Sequence, residues 1–168
     1  MKVFLSLGSN IADRLLNLRN CIEKIRSSQS ISLIQTSSIY ETEPLYVKNQ
    51  TEFLNMVIEI KTKLNCRKLL MIIKDIEKTY GRRLDDIRYG PRIIDIDILT
   101  FAGLSIYEED LIIPHPKIKE RKFVLEPWSE IAKDYKLPGS KLTIYELLQN
   151  TTDSSKVVAL KEENVNIL

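Results

Sequence analysis

The apolar run "KVFLSL" from Lys2 predicts a first strand, closed by the turn-forming trio Gly8-Ser9-Asn10. From Asp13 the period changes. Leu15, Leu18, Ile22 and Ile25 recur at helical spacing, with Asp13 or Asn10 available to cap the entry. "ISLIQTSSIY" returns to β-branched residues and a period nearer two, and residues 40–52 read as a polar loop broken by Pro44. "FLNMVIEIK" alternates cleanly: Leu54, Met56, Ile58 and Ile60 point one way, Phe53, Asn55, Val57 and Glu59 the other. A second helix is predicted over 66–80, with Asn65 as cap, Leu69, Ile72, Ile73 and Ile76 as its buried stripe and Gly81 as its end. "IIDIDILTF" is a further strand and "AGLS" a hairpin turn. "LIIPHPKIKERKFVLEP" holds a short strand, a Pro-His-Pro turn and a basic stretch. Two shorter helices are expected at 127–133 and 143–149, and little pattern follows Asn150.

The order β-α-β-β-α-β with a further hairpin predicts an α+β fold. It is a ferredoxin-like antiparallel sheet with packed helices and extra C-terminal helices, in one domain over 1–168. A Rossmann fold is excluded, because the central strands adjoin without a helix between them and no G-x-G-x-x-G occurs. The chain is 43% hydrophobic and 29% charged, which argues against general disorder. Its formal net charge of +2 argues against a generic nucleic-acid polyelectrolyte. Cys21 and Cys66 sit in helical patterns, as thiols of a reducing compartment do. "MKVFLSLGSN" turns polar too soon for a signal segment, and no apolar run reaches membrane-spanning length. A cytoplasmic protein without a membrane partner is expected.

The candidate chemistry lies in "RYGPRIIDIDIL" (88–99). Asp95 and Asp97 are two apart on a strand, so both leave the same face with Cα atoms roughly 6.6 Å apart. Two carboxylates on one rigid face repel each other, and Mg²⁺ is the natural partner, since it takes one or two carboxylates and fills its shell with water and phosphate oxygens. Alone, the pair reads first as two acids projecting into water from a half-exposed sheet. Arg82, Arg83, Arg88 and Arg92 lie just upstream, on a segment shaped by Gly81, Gly90 and Pro91. Arginine grips phosphate bidentately with a charge that never titrates away, so acids beside arginines make sense with a polyphosphate between them. The competing reading is a solvated loop balanced by Asp85 and Asp86. No P-loop is present. His115, the single histidine, stands between two prolines with Lys119 and Arg121 close behind, as a turn residue or a second phosphate-facing element. Phe53 and Asn55 share a strand face, an aromatic plane beside an amide that suits a flat heterocycle. Phe123 is a second plate or a core residue.

Together these stretches resemble the 6-hydroxymethyl-7,8-dihydropterin pyrophosphokinases. The resemblance rests on "LGSN", on Y-x-T-x-P-L at 40–45, on "FLN" at 53–55 and on E-x-x-x-G-R at 77–82. It continues through "RYGPRIIDIDIL", "PHP" and R-x-F-V-L-x-P at 121–127, in register from Val3 to about Ile131. It implies a ferredoxin-like fold and transfer of the β,γ-diphosphate of ATP to the pterin hydroxymethyl group, with AMP leaving, in folate biosynthesis. Two Mg²⁺ ions on Asp95 and Asp97 are implied, with Arg82 and Arg92 beside them as catalytic residues. The pterin pocket falls on Thr42, Leu45, Phe53, Asn55, Tyr89, Asp95 and Phe123. Nucleotide and phosphate contacts fall on Glu77, Arg82, Arg88, Arg92, Ile98, His115 and Arg121. Tyr89 stands where many members carry tryptophan, Leu84 where some have a second loop arginine, and Phe53 where some have tyrosine. The proton of the attacking hydroxyl goes to Asp97 or is lost from a metal-activated hydroxyl. The expected partners are these two small molecules, with no nucleic acid, for a monomer or weak dimer. One rival is a ferredoxin-like RNA-binding module, which would carry aromatics on two central strands and no acid pair on that face. The other is a catalytically idle relative, which a single-turnover assay would expose.

Overall fold

Strict alternation along β4 (Phe53–Thr62) organises the molecule, because both of its faces are covered. On one face Leu54, Met56, Ile58 and Ile60 pack with Leu18, Ile22 and Ile25 of α1 (Arg14–Arg26) and Leu69, Ile73 and Ile76 of α2 (Cys66–Thr79). On the other, Val57 joins Phe4 of β1 (Lys2–Ser9) and Leu99 of β5 (Asp95–Phe101). Val124, Leu125 and Trp128 of α3 (Lys122–Ala132) and Ile144 and Leu147 of α4 (Ile144–Asn150) complete that second core. The remaining strands are β2 (Ile31–Thr36), β3 (Tyr40–Thr42), β6 (Ile106–Glu108), β7 (Leu111–Ile113) and β8 (Val157–Ala159). This computed structural model describes residues 1–81 and 90–161.

The six-stranded sheet runs β5-β1-β4-β3-β8, with β2 also pairing β4, and every ladder in it is antiparallel. β2 and β3 lie on the same edge of β4, separated by a kink at Ser37. There the Ser37 N–H donates to Val57 O at 2.9 Å, and the Ser37 hydroxyl accepts from Val57 N at 3.0 Å. The expected α+β class, antiparallel sheet and C-terminal helices are therefore present, with the two helix pairs on opposite faces of the sheet.

Several elements differ from the sequence reading. β1 continues through Gly8 and Ser9 instead of turning there, because both residues pair with β4. Residues 40–42, read as loop, form β3 between β4 and β8, and the tail beyond Asn150 supplies β8. α3 begins at Lys122 and not near Pro127, which lies inside it. Proline removes one hydrogen bond from a helix interior. Burial of Val124, Leu125 and Trp128, all fully enclosed, outweighs that loss. Ala102 and Gly103 do form a turn, with φ of 52° and 73° and the Leu104 N–H on Phe101 O at 2.9 Å. The hairpin, however, is β6–β7, further along. Asp13, not Asn10, caps α1, accepting from Leu16 N at 2.9 Å. Asn65 caps α2 as expected, and Gly81 at φ 87° lies just past its end.

Both thiols are buried in the α1–α2 core. Burial pushes Cys21 up to about 12, Glu77 adding to the effect, and pushes Cys66 up to about 11, with Glu108 adding to it. Since the thiolate is the reactive form, the folded protein should resist iodoacetamide at pH 8 and take up two equivalents once unfolded. Rapid labelling of either cysteine in the native state, read by peptide mass, would contradict this placement. Among the described residues no helix is long and apolar enough to cross a membrane.

Candidate active site

Strand register builds the site. Gly8 pairs with Asn55 on one side and Asp95 on the other, and Ser6 pairs with Val57 and Asp97. Directly opposed residues share a face, so Asn55, Gly8 and Asp95 form one row and Ser6 and Asp97 lie in the next. This is the face that carries Phe4, Val57 and Leu99. α3 and α4 cover that end, and the other end lines a cleft of about 730 Å³.

One half of the cleft suits a flat ring. The Asn55 amide is buried and donates from Nδ2 to Thr42 Oγ1 at 2.6 Å, which leaves its remaining polar positions oriented and in place. Phe53, Leu45 and Phe123 line the cleft around it. Gly8 makes the approach possible, because a Cβ built there would lie 2.7 Å from Asn55 Oδ1.

The other half is charged. Arg92 Nη1 lies 2.9 Å from Asp95 Oδ2, and Arg121 Nη1 lies 3.1 Å from Asp97 Oδ2. Both acids keep partial exposure, 24% and 30% of their side chains. Arg92 is held at its backbone. Its N–H donates to Asn10 Oδ1 at 2.8 Å, and its carbonyl accepts from Asn10 N at 3.1 Å. Arg121 is only 9% exposed, with its guanidinium carbon 5.5 Å from the Phe123 ring centre. A buried guanidinium needs such partners, because an unpaired charge there costs several kcal/mol, on the order of 3–5 when a pair is broken.

His115 faces the same acid, Nε2 to Asp97 Oδ2 at 3.7 Å. Its Nδ1 accepts from Lys117 N at 3.2 Å, so the neutral ring carries its proton on Nε2, toward Asp97. Burial pulls the imidazole below its ordinary range, and the Asp97 carboxylate opposes that pull. Glu77 is 1% exposed. Its Oε1 accepts from Ile96 N at 2.9 Å and its Oε2 from Lys74 Nζ at 2.7 Å. Burial pushes this carboxyl up, although Lys74 works against it. An unpartnered Ile96 N–H on the edge of β5 would cost about 1–3 kcal/mol if shut away from water.

Of the residues named from sequence, Thr42, Leu45, Phe53, Asn55, Glu77, Arg92, Asp95, Asp97, His115, Arg121 and Phe123 line this one cleft. Ile98 does not bring its side chain there. It sits with Ile94 and Ile96 in the α1–α2 core, because alternation turns it away from the aspartates. Arg82, Arg88 and Tyr89 lie outside the described residues. Sequence reasoning passed over Gly8 and Asn10 as turn formers, and did not single out Tyr46, Lys74, Lys78 or Lys117, which also line the cleft. For Gly8 and Asn10 the signal was visible as "LGSN", but its purpose depends on partners dozens of residues away.

Among the described residues no group of three or more His, Cys, Asp or Glu side chains converges as a metal cage. The donor set is two partly open carboxylates. It fits a hard cation that draws its other ligands from water and phosphate oxygens, and it lacks the thiolates and multiple imidazoles of a structural zinc site. An RNA-binding face would carry no such acid pair.

The fold and the site define a class: an α+β enzyme domain whose acids and guanidinium groups share a cleft with a flat-ring pocket. The chain belongs to the 7,8-dihydro-6-hydroxymethylpterin-pyrophosphokinase family, whose model matches residues 4–133. It is 44% identical over 130 residues to the 2-amino-4-hydroxy-6-hydroxymethyldihydropteridine pyrophosphokinase of Bacillus subtilis, covering 77% of each protein. The enzyme of the same name from Methylorubrum extorquens is 38% identical over 138 residues, 82% of this chain and 87% of that one. A folate synthesis bifunctional protein of Arabidopsis thaliana is 39% identical over 144 residues, and there the chain spans 30% of the relative's length. In structure it resembles wild-type HPPK-DHPS of Plasmodium falciparum with pteroate, at TM-score 0.72 and 19% identity. That match covers 88% of this chain and 42% of the other.

Proposed function

We propose that this chain transfers the β,γ-diphosphate of ATP to the hydroxymethyl oxygen of 6-hydroxymethyl-7,8-dihydropterin and releases AMP. The observation that carries the reading is the single cleft in which Asp95–Arg92 and Asp97–Arg121 stand beside Asn55, Thr42, Phe53 and Phe123. Membership of the family supports the same substrates. Phe53 and Phe123 stack the pterin, and the Asn55 amide reads its edge. Arg92 and Arg121, with His115 donating from Nε2, bind the phosphate chain and meet the negative charge that moves onto the leaving AMP. Catalysis is then positioning plus charge stabilisation, with no covalent intermediate on the protein.

Asp95 and Asp97 would hold two Mg²⁺ ions, which, when bound, neutralise and align the phosphates. The ferredoxin-like reading of the core is supported by the order β1-α1-β2-β4-α2-β5 and by the β5-β1-β4-β2 ladder. The working unit is one domain over 1–168, as a monomer or weak dimer.

The test is the nucleotide product. Chromatography of a quenched reaction should show AMP formed one for one with a diphosphorylated pterin, and only with Mg²⁺ and the pterin alcohol both present. Stoichiometric ADP without AMP would sink the assignment.

A further inference from the structure

Among the described residues β5, which carries both aspartates, is an edge strand of the sheet. Its inner side is held by β1 from Gly8 to Val3. Among the described residues, two hydrogen bonds reach its outer side from beyond the sheet. The Ile96 N–H donates to Glu77 Oε1 at 2.9 Å, and Leu99 O accepts from His115 N at 2.9 Å. An edge strand without such bonds is free to twist and shift, because only one of its two ladders constrains it. Ile96 lies between Asp95 and Asp97, so the peptide groups around it set the directions in which both carboxylates leave the strand.

We infer that Glu77 is also a positioning residue for the Asp95–Asp97 pair, acting through the Ile96 amide. Both of its oxygens are already engaged, one by Ile96 and one by Lys74, and the side chain is 1% exposed. A helix supplies the clasp. Glu77 lies in the last turn of α2, which is anchored to the core by Leu69, Ile73 and Ile76, so the acceptor is fixed relative to the sheet. A buried carboxylate is an expensive way to satisfy one amide, and strand geometry at the acids is what it secures. The inference rests on the pyrophosphokinase reading of the cleft.

Two substitutions separate reach from charge. Glu77→Gln keeps an oxygen at the same distance and loses the charge. Glu77→Asp keeps the charge and withdraws it by one methylene. The clasp predicts that Glu77→Gln keeps the Ile96 amide covered. Glu77→Asp should lose about tenfold or more in kcat and need more Mg²⁺ for half-maximal rate, with the KM for ATP little changed. The second readout needs no turnover. Amide exchange followed by NMR should show Ile96 protected in the wild type and in Glu77→Gln, and exposed in Glu77→Asp while the β1–β4 amides stay protected. The opposite ranking, with the Ile96 amide protected in Glu77→Asp and exposed in Glu77→Gln, would make charge the operative property and overturn the inference. Equal Ile96 protection in all three proteins would overturn it too. A wild-type protein that makes no AMP would refute the function, whereas the exchange ranking would still decide whether the clasp exists.

Discussion

Asp97→Asn and Asp95→Asn are each expected to lower turnover by roughly 10²–10³, the usual effect of deleting one charge-stabilising element. The substitution is almost isosteric, and an asparagine oxygen can still accept from Arg121 or Arg92, so the strand and its neighbours should stand. What changes is the field. Asp97 faces the Arg121 guanidinium at 3.1 Å and Asp95 faces that of Arg92 at 2.9 Å, so each acid balances a fixed cation. Without one acid, its arginine remains uncompensated in the cleft and repels the Mg²⁺ that the pair would bind. The loss should persist at saturating ATP and be only partly recovered by added Mg²⁺. Folding can be followed separately at Trp128, the single tryptophan, which is buried under α3 and α4 against Phe4 at 5.1 Å. Correctly folded variants with near wild-type turnover at saturating Mg²⁺ would remove the metal assignment.

Gly8→Ala should strike the other half of the cleft. The residue lies inside β1, where alanine is tolerated, so global stability should change little. Its new Cβ, however, would meet Asn55 Oδ1 at 2.7 Å, closer than a carbon and an oxygen can stand. Asn55 cannot swing freely, because its Nδ2 is committed to Thr42 at 2.6 Å and the side chain is buried. The amide must tilt away from the ring it reads, and displacement of about 1 Å at a positioning group costs up to ~10² in binding or rate. Calorimetry should show pterin affinity down by about ten- to a hundredfold, with MgATP affinity little altered. Equal weakening of both substrates would point to a general distortion of the sheet, and unchanged pterin affinity would remove Asn55 from the pterin site.

The legible part of the site was local. Asp95 and Asp97 share a face because strand geometry makes every second side chain do so, and the same rule put Phe53 beside Asn55. The arginines could be linked to the acids because they precede them by a few residues. The helix caps at Asp13 and Asn65 likewise follow from residues three positions apart. The misreadings have one physical origin. Gly8, Asn10 and residues 40–42 were assigned by their intrinsic turn or loop preference, and long-range pairing overrode it. Proline favours a helix start, but the apolar stripe around Pro127 carries the helix through it.

The alternation, the helical stripes, the acid pair and the family motifs can be read along the chain, because they are set by periods of two to four residues and by residue chemistry. Folding in three dimensions fixes which ends of the strands meet. It sets Gly8 between Asn55 and Asp95, holds Arg92 against Asn10 and draws Glu77 onto the Ile96 amide. These partners stand 19 to 87 positions apart in the chain, brought together by antiparallel register and by the seating of α2 on the sheet. No local preference encodes that register, which is chosen by burying the two faces of β4 against two separate helix pairs.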